Sequence, residues 1–144
     1  MANNPWFGNV FTRAALDAGC AQANAGTLRI YDGTQPTDAE TAITTQNVLA
    51  TLTLNATAFA ASAVTGAAGA RVATAVANAI TDDTSADATG TATWFRVTKS
   101  GGAQAVFDGS VAAVGGTADL LLASVSIVAG EDVGITSFTV KMND

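Results

Sequence analysis

Hydrophobic and polar residues alternate with a period of two over several short stretches of this chain, the signature of strands with one buried face. Residues 27–31 (Thr-Leu-Arg-Ile-Tyr) set Leu28 and Ile30 on one face, and Asp32-Gly33 marks the turn after them. Residues 47–54 set Val48, Ala50, Leu52 and Leu54 on one face and Thr51 and Thr53 on the other. Residues 71–80 suit a strand with Val72 and Val76 sharing a face and Ile80 following. Residues 91–99 form the strongest strand pattern, with Phe95 and Val97 to one side and Trp94 and Arg96 to the other. Ser100-Gly101-Gly102 predicts a hairpin into a strand at 104–111, which Gly115-Gly116 closes. Short strands at 119–122 and 124–128 follow. In the last strand, 132–142, Val133 and Ile135 fall on odd positions but Phe138, Val140 and Met142 on even ones. Such a phase change predicts a β-bulge near Thr136-Ser137.

Residues 9–25 depart from this period. Asn9 is placed to cap a helix, Phe11, Ala14, Ala15 and Ala18 share one stripe at helical spacing, and Gly26 supplies the stop. Ahead of the helix, residues 1–8 read as an extended arm carrying Pro5, Trp6 and Phe7. Residues 37–46 form a polar connection with a short helical turn across Ala39–Thr45; residues 60–70 form a Gly/Ala-rich loop; residues 81–90 form an acidic turn. The pattern predicts a mainly β fold, an antiparallel β-sandwich or partly closed barrel with one N-terminal helix. The organisation is an arm at 1–8 and a single β-rich domain at 9–144, with the helix at about 9–25 and strands from about 27.

Composition narrows what such a domain does. A length of 144 residues suits one domain with a core large enough to fold without disulfides or metal. Charged residues are 12% of the chain and hydrophobic ones 49%, the reverse of a disordered sequence. The net charge is −6, and the six basic residues are scattered, so there is no cationic footprint for direct nucleic-acid binding. No apolar run is long enough to span a bilayer, and the first residues lack the pattern of a secretory signal; no membrane partner is expected. The chain has no histidine, which removes histidine-based triads, most zinc sites and histidine pH switching.

The candidate chemistry is sparse. Asp82, Asp83 and Asp87 offer several oxygen ligands from one loop, as calcium prefers, but without EF-hand spacing; a solvated turn is the favoured reading. Glu131-Asp132 reads as a second solvated turn. Every acid sits in a polar turn or beside glycine, which speaks against paired-carboxylate catalysis, and no enzyme activity and no cofactor are expected. Cys20, the only cysteine, has no histidine to activate it and reads as a small buried hydrophobe. Trp94 and Arg96 on one strand face form a potential cation–π pair, a sugar platform or an ordinary core or interface contact. The pairs Thr51/Thr53 and Thr91/Thr93 are too few for a regular threonine array. Trp6, Phe7, Phe11, Trp94 and Arg96 are therefore the candidate interface residues, since aromatic and arginine side chains dominate interface anchors.

Two stretches carry a likeness. One is Gly26-Thr-Leu-Arg-Ile-Tyr-Asp-Gly33 with Val48-Leu-Ala-Thr-Leu-Thr-Leu54 and Ala58-Phe59. The other runs from Ala79 through Asp82-Asp83 to Thr93-Trp-Phe-Arg96, then Phe107-Asp-Gly-Ser-Val111 and Ile135-Thr-Ser-Phe-Thr139. Together they resemble small virion proteins of tailed bacteriophages, usually encoded among the head genes. The resemblance implies a capsid decoration, or cement, protein: non-enzymatic, located on the capsid surface, bound to the major capsid protein and to itself, often as a homotrimer. It brings no catalytic residues. The alternatives carried forward are a tail, baseplate or connector component, a carbohydrate-binding or adhesive module, and an enzyme.

Overall fold

The computed structural model describes residues 7–143. In chain order these form helix α1 (Asn9–Ala21), then strands β1 (Thr27–Tyr31), β2 (Val48–Thr53), β3 (Ala63–Thr65), β4 (Val72–Val76), β5 (Gly90–Thr91), β6 (Trp94–Thr98), β7 (Ala105–Ala113), β8 (Leu120–Leu122), β9 (Ser126–Ile127) and β10 (Ile135–Asn143). The fold is mainly β with one N-terminal helix, as the alternation predicts. One sheet runs β2-β1-β6-β7-β8-β10-β4-β3 and does not close, so the barrel alternative falls away; β5 and β9 form a separate ribbon. The sheet turns back on itself. Phe95 of β6 and Phe138 of β10, far apart in strand order, meet edge to face with centroids 5.0 Å apart. Phe59 and Phe107 complete this aromatic core, in which Phe95 and Phe138 are nearly solvent-free. The result is sandwich-like: two halves of one sheet face each other.

Strand β7 makes the turn between the halves. Its first part pairs antiparallel with β6, and its last residues pair parallel with β8, Val111 opposite Leu120. Gly109 sits on this strand because a Cβ there would stand 2.6 Å from the Phe95 ring. The expectation of a purely antiparallel sheet is thus corrected at one pair. Residues 114–119 alone join β7 to β8, whereas a parallel crossover ordinarily takes about a dozen residues or more. Asp119 closes this short connection: its Oδ2 accepts hydrogen bonds from Ser110 N–H (2.9 Å) and Ser110 Oγ–H (2.8 Å). The phase change in the last strand is a bulge, with the register shifting between Ile135 and Ser137.

Three other expectations change. The helix starts from Gly8, which caps it without a side-chain bond, rather than from Asn9, and it stops at Ala21. Ala25, not Gly26, takes the left-handed conformation (φ 51°) after it. Gly26 is required instead by close approach, since a Cβ there would collide with the Thr98 carbonyl oxygen. The helix also turns its other stripe inward. Thr12, Leu16 and Cys20 are buried, whereas Phe11, Ala14 and Ala18 are exposed and Ala15 is half-buried. In β4, Ala73 and Ala75 face the core and Val76 is 53% exposed. Helix α1 lies on β4, with contacts to β3 and β10, so the small residues are where the helix comes down on the sheet. The 60–70 stretch contains β3, and 39–45 is not helical but holds one turn, closed by Thr41 N–H to Asp38 O (3.2 Å).

Candidate functional site

Three places merit a functional reading: the outer face of β6, the acidic loop and the outer face of α1. Strand β6 is buried on both sides. Phe95 and Val97 enter the core, as their alternation predicts. Trp94 and Arg96 point the other way but are also covered, at 1% and 7% exposure. Trp94 stacks on Tyr31 of the neighbouring strand, centroids 4.4 Å apart and planes 11° from parallel. The Arg96 guanidinium carbon lies 5.6 Å from the Trp94 ring centroid, so the cation–π pair forms. Trp94 Nε1–H donates to Asp32 O (3.0 Å).

Arg96 is engaged through all three guanidinium nitrogens. Its Nε–H and Nη2–H donate to the two carboxylate oxygens of Asp108, both at 2.7 Å, the fork geometry that suits guanidinium and carboxylate. Nη1–H donates to Thr41 O (2.9 Å) and Nη2–H to Asp38 O (3.3 Å). The hydrogen bonds to Asp108 hold the Arg96 proton more tightly than usual. Segment 38–41 is thereby pinned over the β6 face. The side chain of Asp38 shapes that segment by accepting from Thr41 N–H (2.7 Å) and Thr41 Oγ1–H (2.8 Å), which lowers its pKa. Asp32 is held low in the same way, first by the Asn47 side chain and then by the Asn47 backbone N–H. Trp94 and Arg96 are therefore not surface anchors; the chain's own loop covers them. A flat sugar platform at Trp94 is likewise excluded by its burial.

The acidic loop serves the fold. Strand β2 is an edge of the sheet, and the loop lines that edge. Asp83 Oδ2 accepts from Thr51 N–H (2.7 Å) and Asp87 Oδ2 from Thr51 Oγ1–H (2.8 Å). Asp87 N–H donates to Leu49 O (2.8 Å), and Thr53 and Thr81 exchange backbone bonds. Asp83 also bridges Val133 through its backbone. Asp82 packs against Gly134, where a Cβ would stand 3.0 Å from its carboxylate. An edge strand's free N–H and C=O groups are templates for unwanted pairing, and this loop occupies them. Among the described residues no three His, Cys, Asp or Glu side chains converge to hold a metal ion. Asp82, Asp83 and Asp87 face the protein rather than a common centre.

The outer face of α1 is different. Phe7 and Phe11 stack with centroids 4.3 Å apart and planes 9° from parallel, yet they are 41% and 52% exposed. Val10 beside them is 85% exposed. Ala14, Ala18 and Ala21 continue the same exposed side. Asp17 on the flank is tied down, its Oδ1 accepting from Ser62 N–H (2.8 Å). On the inner face, burial and then Asp17 push the Cys20 thiol up to about 11, so it is an unreactive core group. Trp6 lies outside the described residues. Of the candidate interface residues, the structure brings Phe7 and Phe11 together on one open surface and separates them from buried Trp94 and Arg96. Asp108, Asp38 and Thr41, which complete the Arg96 site, are not singled out by the sequence pattern. The Gly101-Gly102 hairpin brings β7 back along β6, but a register shift between Val97 and Thr98 puts residue 108 rather than 107 opposite residue 96.

Comparison with protein-family models, with curated proteins and with solved structures finds no match. Among the described residues no helix is long and apolar enough to cross a membrane.

Proposed function

We propose that this chain is a non-enzymatic assembly protein of a virion, a capsid decoration protein that binds the outer shell and strengthens capsomer contacts. The observation that carries the reading is the outer face of α1. A helix that is apolar on both sides is ordinarily buried on both sides. Here the inner side packs on β4 with Leu16 and Cys20 buried, while Phe7, Val10 and Phe11 stand in solvent. Aromatic side chains so placed are the typical anchors of a protein interface. The partner class, the major capsid protein together with further copies of this chain as a homotrimer, comes from the resemblance to phage head proteins. A chain of few charges and net charge −6 suits a crowded shell, because self-repulsion between copies is limited and nucleic acid is not captured.

Native mass measurement followed by cosedimentation with empty phage capsids tests the reading. The expected result is a trimer that pellets with shells in many copies, and a Phe7→Ser/Phe11→Ser variant that stays folded but remains in the supernatant. A chain that ignores shells and pellets with tails moves the assignment to a tail, baseplate or connector component. A chain that binds neither overturns the virion reading.

A further inference from the structure

Arg29 carries its charge beside the paired cation Arg96. It lies on the outer face of β1, directly opposite Arg96 of β6 and Thr51 of β2. Like charges facing each other across a strand pair are unfavourable. Asp108 resolves the problem for Arg96 by taking both arms of its guanidinium. Arg29 receives no such partner: among the described residues its side chain makes no hydrogen bond and no ion pair. Its Nη2 lies beside Gly102 of the β6–β7 hairpin, whose missing side chain leaves the space open.

That space is a cleft of about 270 Å³, bounded by β1, segment 39–43 and the β6–β7 hairpin. Arg29, Tyr31, Thr41, Thr98 and Gln104 line it, with Arg96 at its floor. A second cleft, of about 380 Å³, adjoins it through Glu40, Gln104 and Ala105 and adds Lys99. Arg29 and Arg96 thus line the first cleft and Lys99 the second, and with Arg96 held by Asp108 the cation left open in the first is Arg29. Glu40, on the shared wall, is exposed and makes no ion pair with Arg29.

We propose that this cleft is a carboxylate-binding site in which Arg29 is the anchoring group. A planar guanidinium with its donors free takes a carboxylate in two parallel hydrogen bonds. The exposed side-chain amide of Gln104 is available to complete the shell; the hydroxyls of Thr41 and Thr98 are already donated to Asp38 and to Thr27 O. Glu40 sets the charge limit: with one acid already on the wall, the site accommodates a monoanionic group better than a dianion such as sulfate. The site does not depend on the outer face of α1 or on the virion reading.

Titration of the full chain, followed by amide and arginine side-chain NMR, tests the proposal. The probes are butyrate, a capped Gly-Glu-Gly peptide and sulfate. Butyrate and the peptide present the same single carboxylate from a free acid and from a protein side chain; tighter binding of the peptide assigns the site to a partner protein, and tighter binding of butyrate to a small acid. Saturable shifts at Arg29 Nε–H, Gly102 and Gln104 are expected with the carboxylates. Arg29→Gln should weaken binding at least tenfold, Arg29→Lys by a smaller factor, and Glu40→Gln should strengthen it two- to threefold. Equal response to sulfate at the same ionic strength overturns the carboxylate assignment. So does an unchanged affinity in Arg29→Gln, or a loss of thermal stability in Glu40→Gln matching that in Arg29→Gln, which would make the two an internal pair.

Discussion

The molecule contains two aromatic stacks of nearly the same geometry and opposite fates. Tyr31 and Trp94 lie 4.4 Å apart with planes at 11°; Phe7 and Phe11 lie 4.3 Å apart with planes at 9°. The first pair is 4% and 1% exposed, the second 41% and 52%. What separates them is what the chain places on top. Trp94 has Arg96 against its ring, Asp32 O at its indole N–H, and segment 38–41 fastened across it by the Arg96 donors. Phe11 has nothing comparable from the described chain. The first stack is a finished piece of core; the second is left open to solvent. Ring contact alone therefore does not distinguish core from interface, and the polar cover over the ring does.

The most severe way to break the finished stack is to remove part of its cover. Asp108→Ala strands the Arg96 charge in a site where its side chain is 9% exposed, and loss of one member of a buried pair costs about 3–5 kcal/mol. Trp94→Ala should cost a similar ~3–5 kcal/mol through the cavity it leaves. Denaturant unfolding measures both. A cost under about 1 kcal/mol for either would mean that segment 38–41 does not seal this face.

Helix α1 offers the same contrast within one element. Leu16 on the inner face is 6% exposed, and Leu16→Ala should destabilise by ~2–4 kcal/mol. Phe11→Ser on the outer face should change the stability of the isolated chain by less than about 0.5 kcal/mol, and under the proposed function it should abolish association with shells. Comparable destabilisation by the two substitutions would show that Phe11 serves the fold of a single chain and would remove the main support for an interface there.

The helix also shows where sequence reasoning stops. Its 9–21 segment carries two apolar stripes, Phe11-Ala14-Ala18 and Thr12-Leu16-Cys20, and periodicity reports both equally. The choice between them is made by the sheet: α1 packs on β4, whose core-facing residues Ala73 and Ala75 are small, and the stripe with Leu16 is the one buried. Strand β1 is legible to the residue because Leu28 and Ile30 alternate without interruption. The bulge in β10 is legible because a one-residue insertion reverses the phase of everything after it. Asp108 is not legible. A second bulge, between Val97 and Thr98, shifts the register of the β6–β7 hairpin, so counting back from Gly101-Gly102 misplaces the partner of Arg96. The acidic loop looks like a solvated turn in the sequence because edge capping depends on which strand ends up at the sheet margin, a property of topology rather than of local sequence.

A third test uses Cys20, whose thiol is raised from 9.0 to about 11 on the inner face of α1. The folded state holds the proton longer than the unfolded chain does. Its contribution to stability is therefore complete below pH 9 and declines as pH rises from 9 toward 11. Cys20→Ala should flatten that decline, measured as the difference between urea midpoints of the two proteins across this interval. An identical alkaline slope in both proteins would mean that the inner face of α1 is wetter than the outer-versus-inner contrast requires.

The smallest effect concerns the fastening of the loop over Trp94. Asp32 and Asp38 have carboxyls held below the ordinary 3.8, Asp32 first by Asn47 and Asp38 first by Thr41. A lowered acid contributes above its ordinary value and stops contributing as pH falls through its lowered one. Acid should therefore loosen segment 38–41 before the core responds, because both groups are at the surface while Phe95 and Phe138 are not. The Trp94 indole N–H resonance reports this directly, since its acceptor is the Asp32 carbonyl. It should broaden or shift as pH drops below 3.8, and in Asp38→Ala part of that change should be present already at neutral pH. The Phe7 and Phe11 ring signals have no titrating cover and should stay constant through the same range. A Trp94 signal as indifferent to acid as theirs would show that the cover rests on the Arg96–Asp108 pair alone, and that the two surface carboxylates only shape the loop.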